Sequence, residues 1–229
     1  MKSRSSRGAD SSDLEKMFLQ LVEVTSGDRL MQEVTSTFEA NTATAVLGPN
    51  SSCSSCLLLT LLKGSHVRGE LRVNGMKTRN VRRWAAYLPK NASYGLHGAL
   101  TVKQSIYWSA VLRSPSSQSK MARFARADVV MERFGLVSVQ NQRIGFFSAD
   151  KNYSQTKHPP RGGVGVVSLS PGQKKRVLVA IELLSLRPLF FADEPTSDLC
   201  AAGAKAVVDA LVIAARAEGR TCVASVQQP

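Results

Sequence analysis

Leu189-Phe190-Phe191-Ala192-Asp193-Glu194 decides the reading of this chain. Four consecutive apolar residues with no alternation describe a strand buried on both faces, which is the habit of a parallel sheet covered by helices. Two carboxylates at its carboxyl end then lie where ligands of such sheets bind. There Asp193 can meet a metal that is bound to phosphate, and Glu194 can orient or polarise an attacking water. A plainer alternative is that two acids simply end a strand in solvent.

Outward from that stretch, helices and strands alternate. Ser170-Pro171-Gly172-Gln173 opens a helix: Ser170 caps it, Pro171 suits its first turn and Gln173 closes a capping box. The pattern carries that helix to about Leu186, just before the Leu189–Ala192 strand. Ala201 to Glu218 is an amphipathic helix stopped by Gly219, and Thr221 to Val226 is a last buried strand. Upstream, Thr44 to Leu47 is a short apolar run ended by Gly48-Pro49, and Leu57 to Leu62 reads as a buried helix. Glu70 to Val73 alternates before an Asn74-Gly75 turn, a hairpin signal. Lys120 to Phe134 sets Phe124, Ala127, Met131 and Phe134 on one helical face before Gly135. The predicted fold is α/β: a mainly parallel core sheet flanked by helices, an antiparallel β subdomain before it, and a helical subdomain over about 101–170.

The 229 residues suffice for one large domain or two small ones. Hydrophobic residues at 43% and charged residues at 21% exclude a generally disordered chain. Residues 1–12, rich in Ser, Arg and Lys, read as a disordered tail ahead of a domain over 13–229. About 148–163, with Asn152, Pro159, Pro160, Gly162 and Gly163, reads as a flexible insertion. The apolar stretch from Val177 to Ala192 is broken by Glu182, Arg187 and Pro188, so it does not span a bilayer. Four cysteines do not make a disulfide framework, and no apolar signal region follows the basic start, so a soluble domain facing the cytosol is expected.

A net charge of +13 calls for an anionic partner: nucleotide, nucleic acid or a membrane surface. Lys174-Lys175-Arg176 reads as a solvated basic face, and no interleaved aromatic residues offer bases a stacking platform, which argues against nucleic acid. His66, His97 and His158 stand apart from one another, without a partner at ligand or triad spacing.

The turn Gly48-Pro49-Asn50-Ser51-Ser52-Cys53-Ser54-Ser55-Cys56 lies between a strand and a helix, where backbone N–H groups and a helix N-terminus can hold phosphate. Against the pattern G-x-x-x-x-G-K-[ST], Gly48 is present and Ser55 can supply the magnesium hydroxyl. Cys53 stands in place of the second glycine and Ser54 in place of the lysine. The same residues spell Cys53-Ser54-Ser55-Cys56, the setting of a thiol–disulfide oxidoreductase, which keeps a redox reading open. A Cys metal site is disfavoured, because Cys200 and Cys222 form no second close pair.

In order and together, these pieces resemble the nucleotide-binding domain of ATP-binding-cassette (ABC) transporters, most closely subfamily G. The resemblance runs from about Phe18 to Pro229. Ala45–Asn50 is similar to the strand and opening of the Walker A loop, and Gly69–Gly75 (GELRVNG) to the hairpin after its helix. Ala86–Lys90 resembles the strand into the Q-loop, and Leu96–Val102 the segment beyond it. Leu169–Val177 resembles the signature motif, Phe190–Leu199 (FFADEPTSDL) Walker B with the D-loop, and Gln227-Gln228-Pro229 the H-loop.

The resemblance implies ATP and magnesium as cofactors. Gly48 to Cys56 and Lys90 would lie at the nucleotide, and Ser55 with Asp193 at the magnesium. Glu194 would be the catalytic base, and Gln227 stands at the H-loop histidine position. Leu169, Ser170, Pro171, Gly172 and Gln173 would face the nucleotide of a second such domain. Besides Cys53, five positions depart from the family pattern: Ser54 for the Walker A lysine, Lys90 for the Q-loop glutamine, Gln227 for the H-loop histidine, Cys200 for the D-loop aspartate, and Pro171 for the first signature glycine. Pro171 offers no N–H to a phosphate. The implied protein is an ATP-binding subunit or fragment of a transporter that couples ATP binding and hydrolysis to transmembrane transport. It would sit at the cytosolic face of a membrane through a transmembrane domain absent from this chain, its own ATP site impaired. The alternatives are an inactive pseudo-ATPase remnant and a non-transport ABC ATPase acting on nucleic acid or the ribosome.

Overall fold

The computed structural model describes residues 17–26, 32–48, 51–63, 67–79, 81–91, 95–115, 117–145 and 168–227. The expected tail over 1–12 and the expected insertion over about 148–163 lie outside the described residues. In chain order the elements are β1 (Leu19–Ser26), β2 (Val34–Phe38), β3 (Ala43–Leu47), α1 (Ser51–Lys63), β4 (Val67–Val73), β5 (Met76–Thr78), β6 (Ala85–Leu88), α2 (Val102–Arg113), α3 (Lys120–Arg133), α4 (Pro171–Leu183), β7 (Leu189–Ala192), α5 (Ala201–Arg216) and β8 (Thr221–Val226). They form two compact units, one within residues 1–87, 187–194 and 211–229, the other within 88–186 and 195–210.

The first unit holds an antiparallel sheet ordered β2-β1-β4-β5 and a second sheet ordered β3-β8-β7-β6. In β1, Leu19 and Leu21 face the core by simple alternation; an irregularity between Leu21 and Val24 then returns Val24 to the same face. Glu23 takes up the extra residue at φ +51, in the left-handed region. Opposite it, Gly69 sits at φ +93, where a Cβ would press into the carbonyl oxygens of Val22 and Glu23. The predicted hairpin is present as β4 and β5, with Val73 paired to Met76 across Asn74-Gly75.

β3, β8 and β7 are parallel, with Leu47 opposite Val226 and Ala192 opposite Ala224. Their carboxyl ends therefore emerge side by side, carrying Gly48, Gln227 and Asp193. Leu57, Leu58 and Leu61 of α1 pack with Leu189, Phe191 and Val223 of this sheet and with Leu19, Leu21 and Val24 of β1. β7 is buried at all four positions, as the unbroken apolar run predicts, whereas β3 is exposed at Ala43, Ala45 and Leu47.

The second unit is helical. Thr101 and Ser170 each close a capping box, on Gln104 and Gln173 respectively. The helix expected to reach Leu186 ends at Leu183. There the Ser185 hydroxyl and N–H both donate to the Glu182 carbonyl, and Pro188 disfavours helical backbone at Arg187. The Lys174-Lys175-Arg176 run is not a solvated face: Lys174 is 4% and Lys175 1% exposed. α4 is buried almost all round, so its polar residues reach protein partners instead of water. Arg113 pairs with Glu182 at 2.6 Å, and Arg176 donates to the Phe134 carbonyl at 2.8 Å.

Candidate functional site

Parallel strands deliver their carboxyl-end residues to one edge of the sheet, and the first unit concentrates its polar groups there. Ser55, in the second turn of α1, donates its hydroxyl to Asp193 Oδ1 at 2.7 Å. Ser225 of β8 donates to the same oxygen at 2.7 Å and accepts the Glu194 N–H at 2.8 Å. Tyr87 of β6 donates to the other oxygen, Oδ2, at 3.3 Å. Burial first, and then the Asp193 carboxylate, push the Tyr87 phenol above its ordinary range, so it stays a donor at neutral pH. Glu194 follows at φ +44 and receives the Gln227 side-chain amide on Oε1 at 2.7 Å. Asp193 and Glu194 are 4% and 5% exposed. The alternative of two acids ending a strand in solvent is thereby set aside.

The turn before α1 is shorter than a nine-residue loop. The helix already begins at Ser51, so the first-turn amides, which come before the helix's own backbone ladder, are those of Ser51, Ser52, Cys53 and Ser54. Pro49 and Asn50 lie outside the described residues. Ser54 points inward, 2% exposed. Cys53 and Cys56 are half-buried and not joined in a disulfide, and Cys56 Sγ lies 3.8 Å from Thr60 Oγ1. The structure thus brings Ser55, Asp193, Glu194 and Gln227 together in the first unit.

Lys90 and the Leu169–Gln173 stretch belong to the second unit. Leu169 is buried, Ser170 is the N-cap of α4, and Pro171 is its first residue. Gln173 N–H donates to Ser170 Oγ at 3.2 Å, while Ser170 N–H donates to Gln173 Oε1 at 2.8 Å. A Cβ on Gly172 would come within 3.4 Å of the Asp198 carbonyl, so the glycine admits close approach of that turn. Lys90 is exposed at its side chain, but its carbonyl accepts the Lys175 ammonium at 2.7 Å, with the Pro89 carbonyl at 3.4 Å.

Two polar side chains of the site escape the sequence reading: Ser225 and Tyr87. A signal for the first existed. A serine inside the largely apolar Thr221–Val226 strand must find partners once buried, and the Asp193 carboxylate and the Glu194 N–H are what it finds. Tyr87 looks like core, and only its hydroxyl marks it.

Among the described residues, no group of three or more His, Cys, Asp or Glu side chains could hold a metal by itself. Magnesium is ordinarily held by one or two protein oxygens together with phosphate and water, so that count suits it. Adjacent ligands of an octahedral magnesium lie about 2.9 Å apart when each bond is about 2.05 Å. Ser55 Oγ and Asp193 Oδ1, at 2.7 Å, already stand near that spacing.

Residues 31–197 match the family model described as ABC transporter. The chain is 35% identical over 189 residues to ABC transporter G family member 1 of Petunia hybrida, covering 81% of this chain and 26% of that protein. It is 32% identical over 216 residues to ABC transporter G family member 11 of Arabidopsis thaliana, covering 91% of this chain and 28% of that one. The chain thus spans about a quarter of the length of these relatives. Its fold is similar to that of a dimeric bacterial ABC transporter cassette, with TM-score 0.69 and 19% identity over 92% of this chain and 88% of the other. It is equally similar, at TM-score 0.69 and 19% identity, to cbiO1 from Clostridium perfringens over 92% of this chain and 78% of that one. With that family model covering well over half its length, the chain belongs to the ABC transporter family.

Proposed function

We propose that this chain is the ATP-binding part of a subfamily G-type ABC transporter, and that its own ATP site binds nucleotide without efficient hydrolysis. The observation that carries the reading is the Ser55–Asp193 contact at 2.7 Å, which joins the helix after the phosphate turn to the end of β7. Those two oxygens would hold magnesium, which would neutralise charge between the outer phosphates. The amides opening α1, with Gly48 before them, would face the phosphates, where a helix N-terminus favours an anion.

The impairment rests on two side chains. Ser54 is buried and offers no ammonium, removing a charge-assisted contact worth about 1.5–3 kcal/mol. Gln227 places amide hydrogens on the Glu194 carboxylate, the group that would accept a proton from water. An amide cannot take up and return that proton as an imidazole can. Residues Leu169 to Gln173 would serve the nucleotide of a second nucleotide-binding domain, so an asymmetric or heterodimeric pair is the expected assembly. Transport would require a transmembrane domain; among the described residues, no helix is long and apolar enough to cross a membrane. The expected place is the cytosolic face of a membrane.

The test is ATP binding and phosphate release by the chain alone and mixed with a cassette carrying the complete family motifs. The expected result is magnesium-dependent binding with little turnover alone, and turnover in the mixture that depends on Ser170. Robust turnover by the unmodified chain alone would overturn the impaired-site reading, and no detectable ATP binding would favour a pseudo-ATPase remnant.

A further inference from the structure

Ser225 is fully buried on β8, at 0% exposure, and its hydroxyl is shared between two neighbouring acidic residues. Its single hydrogen goes to Asp193 Oδ1 at 2.7 Å, and a lone pair accepts the Glu194 N–H at 2.8 Å. Glu194 has φ +44, left-handed backbone that a non-glycine residue adopts only when its surroundings hold it there. Two residues further on, Gln227 Nε2 reaches Glu194 Oε1. Positions two apart along an extended chain share a face, so β8 and the residue that follows it grip Glu194 twice, by its backbone through Ser225 and by its side chain through Gln227.

Asp193 Oδ1 has a second donor in Ser55. If the Ser55 oxygen turns to a cation, its bond to Asp193 is released, and among the described residues Ser225 remains as the donor to Oδ1. From this geometry, and resting on the magnesium–nucleotide reading above, we infer that Ser225 is a positioning residue. It fixes the Asp193 carboxylate for the metal and the Glu194 backbone together, so that metal affinity and the aim of Glu194 are one coupled property of β8.

The test compares the full chain with Ser225→Ala and Ser225→Thr by two measurements. The first is hydrogen exchange at the Glu194 amide. The second is ATP affinity measured in magnesium chloride and in EDTA. Ser225→Ala is expected to speed exchange at Glu194 at least about tenfold, with the β7 amides unchanged, since the lost acceptor serves that one N–H. It should also cut the magnesium-dependent gain in ATP affinity about tenfold while leaving the EDTA affinity within about twofold, and Ser225→Thr should restore both.

Should the alanine variant fail to fold, Ser225→Cys, close in shape but a weak hydrogen-bonding partner, is read in the same way. Exchange at Glu194 unchanged in the variant would overturn the inference, as would an unaltered magnesium effect. If the unmodified chain shows no magnesium-dependent ATP binding, the proposed function fails by itself. The Glu194 amide then decides the role of Ser225: faster exchange in the variant supports it and unchanged exchange overturns it.

Discussion

The Gln227 side-chain amide donates to Glu194 Oε1 across 2.7 Å, so the carboxylate we propose polarises water accepts from a group that holds its hydrogens permanently. Gln227→His would supply a group able to exchange a proton there, yet Ser54 would still leave the phosphates without an ammonium. Phosphate release should therefore stay near the unmodified rate in either Gln227→His or Ser54→Lys alone. It should rise about a hundredfold only in the double variant, since each change restores one part of a charge-stabilising set. A rise of that size in either single variant would contradict this account.

Restoring the lysine has a structural cost. Ser54 is 2% exposed within α1, and Leu57, Leu58 and Leu61 of the same helix line the core. A lysine there must bend its stem out to the solvent or bury its charge, so Ser54→Lys should lose about 1–3 kcal/mol of stability. Nucleotide should recover part of the loss, because a ligand bound only by the folded state stabilises it. Urea unfolding with and without magnesium–ATP checks both statements, and a variant as stable as the parent without nucleotide would show that position 54 can reach solvent.

Much of this site was legible because parallel-sheet architecture writes itself locally. The apolar run Leu189–Ala192 and the strand Thr221–Val226 appear at the bounds their composition sets, and Ser170 with Gln173 forms the box their spacing encodes. What stayed hidden depends on the third dimension. The bulge at Glu23 follows from the close approach of Gly69, 46 residues further along the chain, and no local pattern announces it. Lys174 and Lys175 look solvated by composition and are buried, because α4 is enclosed on nearly every side. Ser225 is one hydroxyl in an apolar strand, and its role exists only once β7 lies beside β8.

The buried Lys175 separates packing from charge. Its ammonium serves the Lys90 and Pro89 carbonyls, and its stem fills core volume. Lys175→Ala should cost about 2–4 kcal/mol by leaving a cavity and removing that donor from the two carbonyls. Lys175→Met keeps most of the volume and avoids burying a charge, so it should cost markedly less. Chemical denaturation of the three proteins tests the order; equal losses would make the ammonium, and not the stem, the whole contribution.

Ser170 can be divided in the same way between its local and its proposed functional role. Ser170→Ala removes the acceptor for the Gln173 N–H and should cost about 1 kcal/mol. Ser170→Asp keeps a capping acceptor and should fold as stably as the parent, but it sets a negative charge where a partner's phosphate would lie. Mixed with a complete cassette, the aspartate variant should fail to support turnover while remaining folded. Full turnover with Ser170→Asp would exclude Ser170 from the shared site.

Cys222 gives the first unit a stability contribution that depends on alkaline pH. Burial, opposed by the Arg220 charge and reinforced more weakly by Glu218, pushes its thiol up to about 12 from an ordinary 9.0. The folded state therefore favours the neutral thiol more than the unfolded chain does. This contribution to stability is complete below about pH 9 and is lost as pH rises from there towards 12. Unfolding midpoints measured between pH 8 and pH 11 should fall more steeply for the parent than for Cys222→Ala, which has no proton to release. In the same preparations exposed Cys200 should react with a thiol reagent at once, and Cys222 only as the chain unfolds. Matching pH slopes for parent and variant would mean that Cys222 ionises as easily folded as unfolded, and rapid labelling of Cys222 in the native protein would place it at the surface.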